Sequence, residues 1–254
     1  MQRFLDLLTG RSDDIELDRA ALEVARIEYP DLNIEPLVGI LDSYAVELSE
    51  RLPDHPTGSD YVQTANYYLF RELGFAGNTE SYYDPRNSCL NEVVTVRTGI
   101  PITLAVVYLE IGRRLAQPVF GIGLPGHFLV QYRGTDYCTF IDVFNGGRLL
   151  TPEECFELAR QSTGTPLGDD PRLLEPSSKR QIVTRMLHNL RGVYFSRQDF
   201  GKALQTLNLL IAADPGSAEQ YKQRGIVHME MGNLAAGRAD LETYLFLAGK
   251  LSAL

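Results

Sequence analysis

Cysteine is scarce in this chain of 254 residues: only Cys89, Cys138 and Cys155 occur, an odd number without a C-x-x-C spacing. That disfavours a disulfide framework and a structural zinc site, and it fits a reducing, cytoplasmic setting. Long apolar runs are also missing. No stretch of about 18 uncharged apolar residues exists, and the first ten residues carry Arg3 and Asp6 without a cleavage pattern, so neither a membrane span nor a secretory leader is expected. Positive charge is in deficit: 24 Lys and Arg against 33 Asp and Glu give a net charge of −9, the wrong sign for gripping a nucleic-acid backbone. The densest basic cluster, Lys179, Arg180 and Arg185, reads as the solvated face of a helix.

The hydrophobic fraction of 44% and charged fraction of 22% belong to a folded globular protein, and the length allows one large domain or two modest ones. Apolar residues recur near the helical period over 15–29, 36–52 and 59–73, the last closing on Gly74. Residues 75–99 mix turn formers with tyrosines and read as a structured loop holding a short helix over 90–96. Residues 101–115 are apolar on nearly every side, which marks a helix enclosed by the core, with Pro101 suited to its first position. Strand-like runs follow over 119–124, 127–132 and 137–143, and their short connections imply antiparallel neighbours. Thr151-Pro152-Glu153-Glu154 has the form of a capped helix start, and the Pro-rich segment 163–178 reads as a connection between domains.

Aligned on itself at a shift of 34, the C-terminal part pairs Leu187 with Tyr221, Tyr194 with His228 and Leu207 with Leu241, the period of tetratricopeptide (TPR) repeats. Two repeats are too few to bury a continuous core alone, so they should dock on the preceding domain, either as a peptide groove or as a buttress. The expected division is a helical region over 1–74, a core over 75–162, a linker over 163–180 and two repeats over 181–254.

One apparent motif is a decoy. Gly121-Ile122-Gly123-Leu124-Pro125-Gly126 matches G-x-G-x-x-G, but a strand follows it rather than the helix whose N-terminus would receive a pyrophosphate. The informative set is the enclosed helix, then His127 opening one strand and Asp142 ending the next. A strand-borne carboxylate there can orient an imidazole, and the imidazole can serve a nucleophile at the helix N-terminus. This order is similar to the transglutaminase-like, papain-related fold, an α+β architecture with a central helix against an antiparallel sheet.

Longer motifs sharpen the resemblance: GNTESYYDPRNSCLNEVVTVRTGIPITLAVVYLEIGRRL, GIGLPGHFLVQY, FIDVFNGGRLL and RMLHNLRGVYF. They resemble the bacterial SirB-type transglutaminase-like family with a TPR tail. The resemblance implies a helical N-terminal region, the transglutaminase-like core and a helical-repeat end. It also puts Pro101 where the nucleophilic cysteine of the superfamily would stand, with His127 and Asp142 retained as a pair. Cys89 departs from the family pattern of a bulky apolar residue. It is the remaining thiol candidate, weighed against a small buried hydrophobe. Asn87, Arg97, Tyr82 and Tyr83 either line a polar cleft beside His127 or order the long loop. The expected function is non-enzymatic recognition of a protein or peptide, without a metal or cofactor. The alternatives are a cysteine-dependent hydrolase or acyltransferase using Cys89, and a purely structural subunit.

Overall fold

The computed structural model describes Phe4, residues 15–166 and residues 168–249. Three helices come first: α1 (Leu17–Ala25), α2 (Glu35–Ser49) and α3 (Gly58–Tyr67), the last continuing into a π-type turn over Tyr68–Glu72. Helix α1 is shorter than its apolar period suggests, because residues 26–28 leave the helix as turns before Pro30. Helix α3 starts on a reciprocal cap, Thr57 with Asp60, and the segment closes at Gly74, whose φ of +76° favours glycine.

The long loop is shut by a pair that the sequence does not announce. Strand β1 (Ala76–Gly77) runs parallel to β2 (Thr98–Gly99), and between them lie a 3-10 turn at Pro85–Ser88 and helix α4 (Leu90–Val96). Two-residue strands have no periodicity to read. Helix α5 (Pro101–Arg114) then runs through the core with every residue from Pro101 to Gly112 buried. Two of its polar members are satisfied: Thr103 Oγ1 donates to the Asn87 carbonyl at 2.6 Å, and Glu110 accepts from Arg114 at 2.7 Å; the buried Tyr108 hydroxyl has no hydrogen-bond partner among the described residues. Gly112 is required by close approach, since a Cβ there would collide with Val119.

Against α5 lies an antiparallel sheet in the order β3 (Val119–Ile122), β4 (Leu129–Arg133), β5 (Cys138–Asp142), β6 (Arg148–Leu150). Strand β6, which pairs Phe140 with Leu150, is an addition to the three expected strands. The pleat sends Val130, Tyr132 and Ile141 into the main core with α5. Leu129, Phe140 and Leu150 point the other way, into a smaller core closed by α6 (Pro152–Thr163). Thr151 caps α6 reciprocally with Glu154, as its sequence indicates.

The segment after α6 is tied to the edge of the sheet: Ser177 N donates to the Gly121 carbonyl at 2.8 Å, and Ile122 bridges Pro176. Two helical hairpins follow, α7 (Lys179–Ser196) with α8 (Phe200–Ala213), and α9 (Ala218–Glu230) with α10 (Leu234–Leu247). Ile182, Val183, Met186, Leu187 and Leu190 of α7 join the same continuous core as Leu17, Ala21 and Val106. In the second hairpin, Gly225 and Gly237 let α9 and α10 touch backbone to backbone; a Cβ on Gly225 would sit 3.1 Å from the Gly237 carbonyl.

An interior ion network fastens the N-terminal helices to the central one. Arg114, 10% exposed at its side chain, meets Asp18 of α1 at 2.6 Å, Asp42 of α2 at 2.6 Å and Glu110 at 2.7 Å.

Candidate functional site

His127 stands in the connection between β3 and β4, two residues before β4 begins, rather than opening the strand as its sequence context suggests. Pro125-Gly126 is the reason: Gly126 takes a φ of +71°, so the chain is still turning when it reaches the imidazole. Asp142 ends β5. His127 Nε2 lies 3.0 Å from Asp142 Oδ1, and both side chains are buried.

The carboxylate is held from several directions. Oδ1 also accepts from the Phe144 and Asn145 backbone N–H groups at 3.2 and 3.3 Å, and Oδ2 accepts from the Asn145 amide at 2.7 Å. Burial works against the charge on Asp142, but the hydrogen bond and charge of His127, then the Asn145 donors, hold its carboxyl below the ordinary value. With Nε2–H directed at the carboxylate, a neutral His127 leaves Nδ1 as the accepting nitrogen.

Pro101 is the first residue of α5, after Ile100 as N-cap. No side-chain nucleophile exists at that position. A chain of ring contacts leads outward from the imidazole: His127 to Phe144 at 6.1 Å, Phe144 to Tyr82 at 6.0 Å and Tyr82 to Tyr83 at 5.3 Å, all edge-on. Tyr82 and Tyr83, with Ser88 and Ile100, form one side of a cavity of about 440 Å³. The opposite side is α7, through His188, Asn189 and Gly192. The cleft therefore lies between the long loop, the start of the central helix and the first repeat helix.

The remaining sequence candidates have other work. Asn87 orders the loop: its amide nitrogen donates to the Ser81 and Tyr82 carbonyls at 2.7 and 3.2 Å, and its oxygen accepts from Asn78 at 3.0 Å. Arg97 terminates α4 in the left-handed conformation, φ 61°, and donates to the Leu73 carbonyl at 2.9 Å. Cys89 has no exposed surface; its thiol donates to the Pro85 carbonyl at 3.4 Å, and burial, then Glu28 and Glu92, push the thiol far above its ordinary value. These surroundings oppose formation of a thiolate. Cys138 is exposed at the start of β5, whereas Cys155 points into the smaller core, where burial pushes it up to about 12.

Arg185 is the residue that sequence reasoning missed. It is half-buried rather than part of a solvated stripe, and Nη2 donates to the carbonyls of both Leu124 and His127 at 2.7 Å. The only signal in the sequence is its spacing of three and four from His188 and Asn189, which puts all three on one face of α7.

Residues 37–188 match the transglutaminase-like superfamily and residues 190–252 match the tetratricopeptide repeat. A UPF0162 protein of Xylella fastidiosa (strain 9a5c) is 36% identical over 244 residues, covering 95% of this chain and 87% of that protein. A UPF0162 protein of Pseudomonas aeruginosa is 28% identical over 232 residues, 91% of this chain and 84% of its own length. The chain belongs to the transglutaminase-like superfamily and, within it, to the UPF0162 family. F-box only protein 21 of Mus musculus is also similar, 28% identical over 186 residues, 68% of this chain and 28% of that protein. A crystal structure of menin, described by its binding site for Mixed Lineage Leukemia (MLL) protein, aligns with a TM-score of 0.45 and 10% identity, covering 100% of this chain and 71% of menin.

Proposed function

We propose that this chain is a non-enzymatic, SirB-type member of its superfamily that recognises a protein or peptide segment in the cleft between the Tyr82–Tyr83 loop and α7. The observation that carries the reading is the combination of Pro101 at the head of α5 with a cavity beside it lined from both the core and the first repeat helix. Proline offers no nucleophile, and it lacks the N–H that a neighbouring oxyanion would use. A surviving His–Asp pair does not replace a lost nucleophile, whose removal from a comparable triad costs on the order of 10⁶ in kcat. In this reading His127 and Asp142 brace the cleft, Tyr82 and Tyr83 line it, and Asn87 and Arg97 shape the loop behind it.

A cysteine-dependent hydrolase or acyltransferase through Cys89 has the burial of that thiol against it. The division into 1–74, 75–162, 163–180 and 181–254 belongs to the same proposal, with the repeats acting as one wall of the cleft. So does the cytoplasmic address, which the three free cysteines support.

Gly192 provides the test. It is exposed, helical and lines the cavity, and a Cβ there meets nothing within 4 Å. Gly192→Phe fills the cleft from a helix that tolerates the change, and Gly192→Ala should stabilise the protein by about 0.5–1 kcal/mol. Retention of a random octapeptide pool on the immobilised wild type, read by mass spectrometry, should exceed retention on Gly192→Phe. Equal retention on the two would contradict recognition in this cleft.

A further inference from the structure

Helix α10 closes the repeat array with one face turned inward and one left open. Its buried residues, Gly237 and Asp240, face α9: a Cβ on Gly237 would collide with Met229, and Asp240 pairs with Arg224 at 2.7 Å. On the other side Ala235, Ala239, Glu242 and Phe246 are all exposed, and their spacings of four, three and four set them in one line along the helix. Leu234 and Arg238 flank that line. Leu234 is 65% exposed and Phe246 52%.

The preceding repeat shows what belongs on such a face. At the shift of 34, Glu242 corresponds to Asn208 of α8, and Asn208 accepts from Arg224 of α9 at 2.9 Å. The next helix of the array therefore reaches the equivalent position on α8. On α10 that position is open to solvent. A repeat array that ends in water carries a polar outer face. Here Ala235, Ala239 and Phe246 give the end of the array the character of an internal surface, and Glu242 is its one charged member.

The face is complementary to itself. Arg238 and Glu242 pair at 2.7 Å along the exposed surface. Two such helices laid antiparallel about a twofold axis bring Arg238 of each copy beside Glu242 of the other, so that four charges alternate in sign. The same register sets Phe246 of each copy against Ala235 of the other, a large ring against a small side chain. Both pairs are centred on the same turn of the helix, near Asp240, as a single twofold axis requires. Ala239 lies at that centre and lets the two backbones approach.

We propose that α10 is a self-association surface, and that two copies of this chain pair through it in antiparallel, with reciprocal Arg238 to Glu242 contacts at the middle. One helix from each copy makes a small interface, so the dimer is expected to be weak and reversible.

Sedimentation equilibrium of the full-length protein over about 1–100 μM tests this. Wild type should shift from monomer to dimer across that range. Arg238→Glu places acid against acid and Glu242→Arg base against base, and each should raise the dissociation constant about tenfold or more. The double variant Arg238→Glu/Glu242→Arg should regain the dimer, as should an equimolar mixture of the two single variants. Both side chains are exposed, so each variant should keep the far-ultraviolet circular dichroism of the wild type. A wild type that stays monomeric would overturn the proposal. If it dimerised only after removal of residues 250–254, that segment would be the occupant of the face; if it stayed monomeric even then, a partner of another kind would be. A dimer indifferent to the single reversals, or one restored by neither the double variant nor the mixture, would also overturn it.

Discussion

Arg185 Nη2 on α7 donates to the carbonyl of His127 at 2.7 Å, so the first repeat helix holds the turn that presents the imidazole. The same nitrogen bonds the Leu124 carbonyl, and the pair of bonds spans the Pro125-Gly126 turn. Removing the guanidinium leaves two carbonyls without their charged donor. Arg185→Gln should therefore cost about 1.5–3 kcal/mol in urea unfolding, with faster hydrogen exchange localised to residues 124–129.

Asp142 supplies a pH signature. Its carboxyl is held below the ordinary value near 3.8, so its contribution to stability is complete above that value and is lost as pH falls through the lower folded-state value. Unfolding free energies of wild type and Asp142→Asn should differ by about 1–3 kcal/mol at neutral pH. The gap should hold steady down to about pH 5 and narrow below 3.8. A gap that widens on acidification would contradict the assignment of the charge.

The Arg114 network makes the opposite prediction at its Glu110 corner. Burial first, then Asp18, raises the Glu110 carboxyl above 4.5, so its protonated form favours the fold below that value and the benefit is lost as pH rises through the folded-state value. Arg114→Met removes the cation shared by Asp18, Asp42 and Glu110 and should destabilise by about 3 kcal/mol at pH 7. Thermal melts should show a smaller loss near pH 4.5, where Glu110 can be neutral.

Local chemistry made much of the fold legible. Leu90–Val96, the enclosed helix from Pro101 and the Thr151 cap all follow from patterns within a few residues, and the observed bounds agree. What escaped depends on partners far along the chain. Strands β1, β2 and β6 span two or three residues and gain their identity from pairing. Arg97 looks like a cleft residue until its guanidinium is seen to reach the Leu73 carbonyl. Arg185 looks like a solvated charge because a sequence records charge without recording burial. At the candidate site, the His127–Asp142 pairing was legible from order and spacing, whereas the α7 wall required the folded chain to bring residues 188–192 beside residues 82–83.

The repeats should not stand alone. Ile182, Val183, Met186 and Leu187 of α7 are buried in the core shared with α1 and α5, and Lys202 of α8 pairs with Glu28 at 2.8 Å. Residues 181–254 expressed separately should give weak helical circular dichroism without a cooperative melt. A sharp melt would show that the two hairpins fold independently of the core.

The rate at which a cysteine-directed electrophile labels the protein at neutral pH tests the central claim most directly, namely that a nucleophile-ready geometry has been left without its nucleophile. Wild type should label slowly at Cys89, and His127→Ala should not alter that rate, because the thiol is buried and bonded to Pro85. Pro101→Cys should label fast at the new position, and the double variant Pro101→Cys/His127→Ala should lose most of that speed. Fast, His127-dependent labelling of Cys89 in the wild type would contradict the account, as would a Pro101→Cys protein no more reactive than its parent.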